Sequence, residues 1–181
     1  MRIGWATATE HRTDDIGAGR WRAAVEAVPM SRPRTGDAAP DFTLQASDGQ
    51  AYTLSALRGR PVVLNFYPGD MTATCTRQMC TYSDAWDDLS ATDALVFGIS
   101  PQDLDSKARF TAKHDLKIPL LADVGGAVAR AFGVAGPFAT KRATFVIDGD
   151  GIIRWVRISV TSLSFAKPGE LIEQVRALQP L

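Results

Sequence analysis

Apolar and polar positions change their spacing several times along this chain, and each change marks an element. Residues 42–44 and 52–54 alternate at period two around the turn signal Ser47-Asp48-Gly49, which predicts a β-hairpin. Residues 57–60 make a turn. Residues 62–66 then form a hydrophobic run of strand length with β-branched and aromatic content, the pattern of a strand covered on both faces. A loop through Pro68-Gly69-Asp70 delivers an amphipathic stretch predicted to be helical to near Leu89. At about 100° per residue, Cys75, Met79, Tyr82, Trp86 and Leu89 form one apolar stripe, and Cys80 falls about 140° away, beside Thr76, Asp84 and Asp87. One cysteine is expected to face the core and the other water.

A second strand-like run, residues 94–99, precedes the helix-start signal Ser100-Pro101 and an amphipathic segment over residues 104–113. A short strand follows at 118–121, then a short helix at 126–132 ended by Gly133, and a Gly/Pro-containing loop at 135–142. Strands at 144–147 and 151–158 are joined by the hairpin turn Asp148-Gly-Asp-Gly151, and a helix from Pro168 to about 178 closes the chain, with proline in its first turn. Strands alternating with helices, then a hairpin and a last helix, predict an α/β fold with a mixed sheet and helices on both faces.

Residues 1–34 read differently, with mixed charges, isolated Trp5 and Trp21, and weak periodicity apart from a possible short helix at 21–28. They are expected to be an extension, poorly structured or a short helix, ahead of one domain at 35–181. Met30 is a candidate start of the compact unit. Glu10, Asp14, Asp15 and Glu26 argue against an acid-poor organelle transit peptide.

Composition narrows the function classes. With 181 residues, 45% hydrophobic and 22% charged, the chain suits one domain with a real core. Twenty basic and twenty acidic side chains cancel, and no basic block points to nucleic acid or an acidic membrane. No apolar run approaches the roughly 20 residues that span a bilayer, so a cytoplasmic protein is expected. Two cysteines cannot build the disulfide framework of a small secreted domain. Cys75 and Cys80 supply only two thiolates, and His11 and His114 lie far off, so no metal site or cofactor is expected. Gly125-Gly126 lacks a phosphate-loop pattern and reads as a turn, the Asp148 turn lacks the later ligands of a calcium loop, Ser100 is not in a G-x-S-x-G elbow, and His114 reads as surface.

That leaves the stretch from Tyr67 to Cys80. Free cysteine usually just packs in a core. Cys75, however, falls where a buried strand hands over to a helix, and the unpaired N–H groups and dipole of a helix start favour thiolate over thiol. Thr72, three residues earlier, carries a hydroxyl able to bond sulfur, and core packing does not explain Cys80.

The run Pro68-x-x-x-Thr72-x-x-Cys75 resembles the active-site signature of peroxiredoxins, and a second cysteine five residues on resembles the peroxiredoxin Q, or bacterioferritin comigratory protein, branch. Residues 36–44, 97–103, 118–123 and 142–148 resemble further family landmarks in the same order. Ala73-Thr74 and Gln78 depart from it, since the family often has Pro-Gly before the cysteine and glutamate three residues after. The resemblance implies a thioredoxin-like fold with Cys75 as the peroxidatic thiol. It further implies Thr72 as the hydroxyl orienting peroxide, Pro68 as a shield over the thiolate, Arg142 as the stabilising cation and Cys80 as the resolving thiol. The implied partners are a peroxide and thioredoxin or a similar dithiol, in a monomer or weak dimer. Five residues of helix hold two Cα atoms roughly 8 to 9 Å apart, beyond disulfide reach, so the implied disulfide requires the helix to unwind. Two other readings stay open: a one-cysteine peroxidase resolved by a small thiol, and a non-enzymatic redox sensor or binding module of the same fold.

Overall fold

A computed structural model describes residues 32–159 and 163–178. The expected extension, the helix at 21–28 and the start at Met30 therefore lie outside the described residues, apart from the last few positions of the extension. Elements run β1 (Thr43–Gln45), β2 (Ala51–Thr53), a 3-10 turn (Leu54–Leu57), β3 (Val62–Phe66), α1 (Ala73–Asp84), α2 (Trp86–Ser90), β4 (Leu95–Ser100), α3 (Leu104–His114), β5 (Leu120–Ala122), α4 (Ala127–Ala131), β6 (Ala143–Ile147), β7 (Ile153–Ile158) and α5 (Pro168–Arg176).

The main sheet has the order β5-β4-β3-β6-β7. Strand β3 pairs parallel to β4 and antiparallel to β6, which places Phe66 beside Ile99 on one side and Ala143 on the other. Every residue of β3 is buried, because both edges are paired and both faces are covered. Val62, Leu64 and Phe66 point to one face, against Phe132, Phe145 and Val128 of α4, with Leu44 and Tyr52 of the β1–β2 hairpin packed on that cluster. Val63 points to the other, in a cluster with Cys75, Met79 and Tyr82 of α1, Leu89 of α2, Phe110 of α3, and Leu171 and Val175 of α5. Helices therefore cover both faces, and the hairpin shares one of them with the short α4.

Several boundaries differ from the periodicity, each for a local reason. The stretch predicted as one helix to Leu89 breaks at Ala85, whose N–H is shared between Thr81 O and Ser83 O; α2 restarts with Asp87 and Asp88 in its first turn, where carboxylates suit the dipole. Helix α3 begins after the Ser100-Pro101 signal, with Asp103 as N-cap accepting from Ser106 N at 2.8 Å. Gly125-Gly126 forms a turn, and the N–H groups of Val128 and Ala129 that follow already donate to the Asp123 carboxylate at 3.0 and 2.8 Å. Gly133 ends α4 at φ 64°, and Arg32 packs against it, Nε donating to Gly133 O at 3.2 Å.

Candidate active site

The loop after β3 sets up the site. Tyr67 extends the strand, its N–H donating to Ile99 O at 3.0 Å. Met71 adopts a left-handed φ of 60°, and Thr72, in extended conformation, caps α1, so that Thr76 N closes the first helical bond on Thr72 O at 2.8 Å. Cys75 then lies in the first turn of α1, fully buried against the sheet.

Antiparallel pairing of β3 with β6 brings Arg142, just before Ala143, to the same end of the sheet. Its Nη2 donates to Cys75 Sγ at 3.2 Å, and its Nη1 donates to Gln78 Oε1. Gln78 Nε2 donates to the Tyr82 hydroxyl at 3.2 Å, which donates to Ala166 O at 2.8 Å. Burial pushes the Tyr82 phenol up to about 12, against the opposing hydrogen bonds to Gln78 and Thr144 and the charge of Arg142. Tyr82 therefore stays a neutral donor. The chain Arg142–Gln78–Tyr82–Ala166 fixes the guanidinium plane with one N–H aimed at sulfur. Gln78 holds the arginine through a neutral amide oxygen.

A cavity of about 510 Å³ opens at Arg142, lined also by Pro68, Thr72, Ala73, Thr74, Thr140 and their neighbours. Pro68, Thr72 and Arg142 therefore share one mouth next to Cys75. Thr72 is exposed, and its hydroxyl donates to Gly69 O at 3.4 Å.

Cys80 is not brought to this mouth. It lines a separate cavity of about 430 Å³ with Ser83, Asp84, His114, Asp115 and Lys117. It is half-buried and packs against the Cys75 cluster, rather than facing water as helical spacing suggested, because the α3 end carrying His114 covers that side. Burial, then the Asp84 carboxylate, pushes its thiol up. Both cysteines are free thiols. His114 is half-buried, its ring edge-on to Phe110 at 5.4 Å.

Two features were not evident from sequence. Gln78 and Tyr82 act together although three and seven residues separate them from Cys75; that helical spacing was the available signal. Lys107 is fully buried with Asp70, and its signal was a lysine three residues before the core residue Phe110, on the inward face of α3.

The sheet order and the cysteine at the start of the helix after the central strand define a protein of thioredoxin-like fold. Within that class the chain belongs to the AhpC/TSA family, whose model matches residues 35–156. It is 42% identical over 124 residues to peroxiredoxin Q, chloroplastic, of Oryza sativa subsp. japonica, covering 67% of this chain and 57% of that one. It is 36% identical over 135 residues to peroxiredoxin bcp of Coxiella burnetii, covering 69% of this chain and 89% of the relative. The crystal structure of peroxidoxin BcpB from Mycobacterium tuberculosis superposes with a TM-score of 0.75 at 35% identity, covering 82% of this chain and all of that one. Among the described residues no helix is long and apolar enough to cross a membrane.

Proposed function

We propose that the protein is a thiol peroxidase in which Cys75 is the peroxidatic cysteine. The observation that carries this reading is the N–H of Arg142, a residue lining an open cavity, aimed at Cys75 Sγ at 3.2 Å. Arginine stays protonated, so it stabilises a thiolate and the negative charge that moves onto oxygen as the O–O bond breaks. The Cys75 thiolate attacks one oxygen of ROOH; with one proton taken up, the products are Cys75–SOH and ROH. Thr72 and Pro68 line the approach, Thr72 offering a hydroxyl to the peroxide and Pro68 limiting water at the sulfur. Hydrogen peroxide and organic hydroperoxides are the proposed substrates, and similarity to the peroxiredoxin Q and bcp proteins supports them.

Cys80 is the proposed resolving thiol. It condenses with Cys75–SOH, releasing water and forming the S–S bond, and thioredoxin or a similar dithiol then reduces the disulfide. Both cysteines lie on the continuous α1, whose geometry keeps their Cα atoms roughly 8 to 9 Å apart. The first turns of α1 therefore open in each cycle, and hydrogen-exchange protection across residues 72–82 falls on oxidation. The half-buried setting of Cys80 and its raised thiol favour a second reading, in which a small external thiol resolves Cys75. Cys80→Ser separates the two: thioredoxin-coupled turnover collapses if Cys80 resolves and survives if it does not. We take the enzyme to act in the cytoplasm as a monomer or weak dimer.

Free-thiol counting after one equivalent of hydrogen peroxide tests the main reading. Loss of both thiols in a monomer supports the cycle, and loss of neither sinks it. Slow reaction with peroxide would instead favour a redox sensor.

A further inference from the structure

Behind the reactive turn lies a polar cluster that the reaction above does not use. Asp70 is almost fully buried, two residues before Thr72 and five before Cys75, and Lys107 of α3 is fully buried against it with Nζ to Oδ1 at 2.9 Å. The same oxygen accepts from the Tyr67 hydroxyl at 2.7 Å and from Ser100 Oγ at 3.2 Å, while Oδ2 accepts from Ser106 Oγ at 2.8 Å. Asp70 N donates to Gln102 Oε1 at 3.2 Å. Lys107 Nζ also donates to Ser100 Oγ, and to the Tyr67 hydroxyl at 3.2 Å. One carboxylate thus ties the loop after β3 to the end of β4 and the first turn of α3.

A buried ion pair is rarely more stabilising than an apolar pair of the same volume, and its best-attested use is to fix one arrangement among several. This pair fixes the last anchored residue before the left-handed Met71 and the exposed Thr72. Beyond it, the next buried polar holds on α1 both come from Arg142, at Cys75 Sγ and at Gln78 Oε1. The turn that carries Cys75 is thus held upstream by Asp70 and downstream by Arg142.

We propose that Lys107 is a positioning residue of the peroxidase reaction: through its buried pair with Asp70 it clamps the upstream end of the α1 start, holding Thr72 and Cys75 in the peroxide-reactive arrangement and setting how readily that turn opens. The inference rests on Cys75 being the reacting thiol. Electrostatics connect the clamp to the sulfur. Burial pushes the Lys107 ammonium down, and Asp70 opposes this most strongly, followed by Asp103 and then Cys75.

The test compares wild type with Lys107→Met, Asp70→Asn and the double variant, by stopped-flow fluorescence with hydrogen peroxide. The rate constants for sulfenic acid formation and for disulfide formation are read separately, together with the sulfinic acid fraction at excess peroxide. Expected is a fall in the first rate constant on the order of tenfold to a hundredfold, the scale of a misplaced reacting group. The disulfide step is expected to be unchanged or faster, with less sulfinic acid. Lost stability alone lowers the amplitudes of both steps and leaves their ratio intact. The double variant carries no unpaired buried charge and decides the matter if a single variant fails to fold. Wild-type rate constants for both steps in the folded double variant overturn the proposal. Cys75→Ser is measured alongside: if it still consumes peroxide, the assignment of Cys75 falls and the clamp with it, whereas an inert Cys75→Ser beside a double variant of wild-type kinetics overturns the clamp alone.

Discussion

Replacing Arg142 by methionine keeps much of the side-chain volume and removes the charge that meets Cys75. Methionine has no N–H to take the place of the Nη2 donor 3.2 Å from sulfur. Coulomb's law at an effective dielectric of about 20 puts a ceiling of about 5 kcal/mol on a unit-charge pair at that distance. Desolvation of both groups reduces the net value to about 1.5–3 kcal/mol, the usual range for a hydrogen bond to a charged group. If the interaction persists as charge develops on the peroxide oxygen, the second-order rate constant with hydrogen peroxide falls about 10- to 150-fold. The assay is stopped-flow fluorescence with peroxide in excess, at a pH where the wild type reacts fully. The variant also strips Gln78 Oε1 of its Arg142 donor, which costs about 1–3 kcal/mol of stability, so circular dichroism must first show a folded protein. Arg142→Lys, which keeps the charge but not the two-pronged geometry, should fall between the two. A folded Arg142→Met that reacts within about threefold of wild type, a difference of ~0.6 kcal/mol, would refute the role given to Arg142.

Other perturbations probe the surroundings. In a Cys75→Ser background, Asp84→Asn removes the carboxylate that helps raise the Cys80 thiol, so iodoacetamide should alkylate Cys80 faster at mildly alkaline pH; an unchanged rate contradicts that electrostatic coupling. For the Asp148 carboxyl burial acts upward, but the N–H groups of Ile152 and Asp150 and the side chain of Arg154 together hold it below its ordinary value of 3.8. Its folded value is depressed, so its stabilisation is fully present above 3.8 and is lost as pH falls through the folded value; the wild-type melting temperature should drop more steeply with acid than that of Asp148→Asn, and parallel curves would oppose this. A Cβ on Gly98 would lie 2.7 Å from Leu120 Cδ2 and 3.1 Å from both Met79 Sδ and Tyr67 Cε1, so Gly98→Ala should lower stability in urea by about 1–3 kcal/mol; a neutral effect would mean that α1 can retreat from β4.

Much of the element order was legible in the sequence. Period-two alternation marked the hairpin whose observed pairs include Leu44 with Tyr52, and the run at 62–66 became the central strand, because burial on both faces selects such residues. The break at Ala85 was not legible: Cys75 to Leu89 keep one continuous apolar stripe, and the interruption lies in backbone hydrogen bonding that the stripe does not record. Cys75 could be singled out from its place at the strand-to-helix junction. Arg142 came from family resemblance alone, since no periodicity links positions 67 residues apart.

By itself the sequence determined which segments become strands and helices, and that a thiol stands at the start of the helix after the buried strand. Exposure along one element is a one-dimensional property, written in the spacing of its apolar residues. Which distant groups meet that thiol depends on the order in which strands pair, and only the tertiary structure decided it. Placing β6 antiparallel beside β3 delivered Arg142 to Cys75; packing α3 on the same face buried Lys107 against Asp70 and its C-terminal end half-covered Cys80. A second cysteine that spacing would leave to solvent became half-buried, and a lysine became fully buried, through neighbours remote in sequence, because burial in a folded chain is settled by what packs alongside an element as well as by its own pattern.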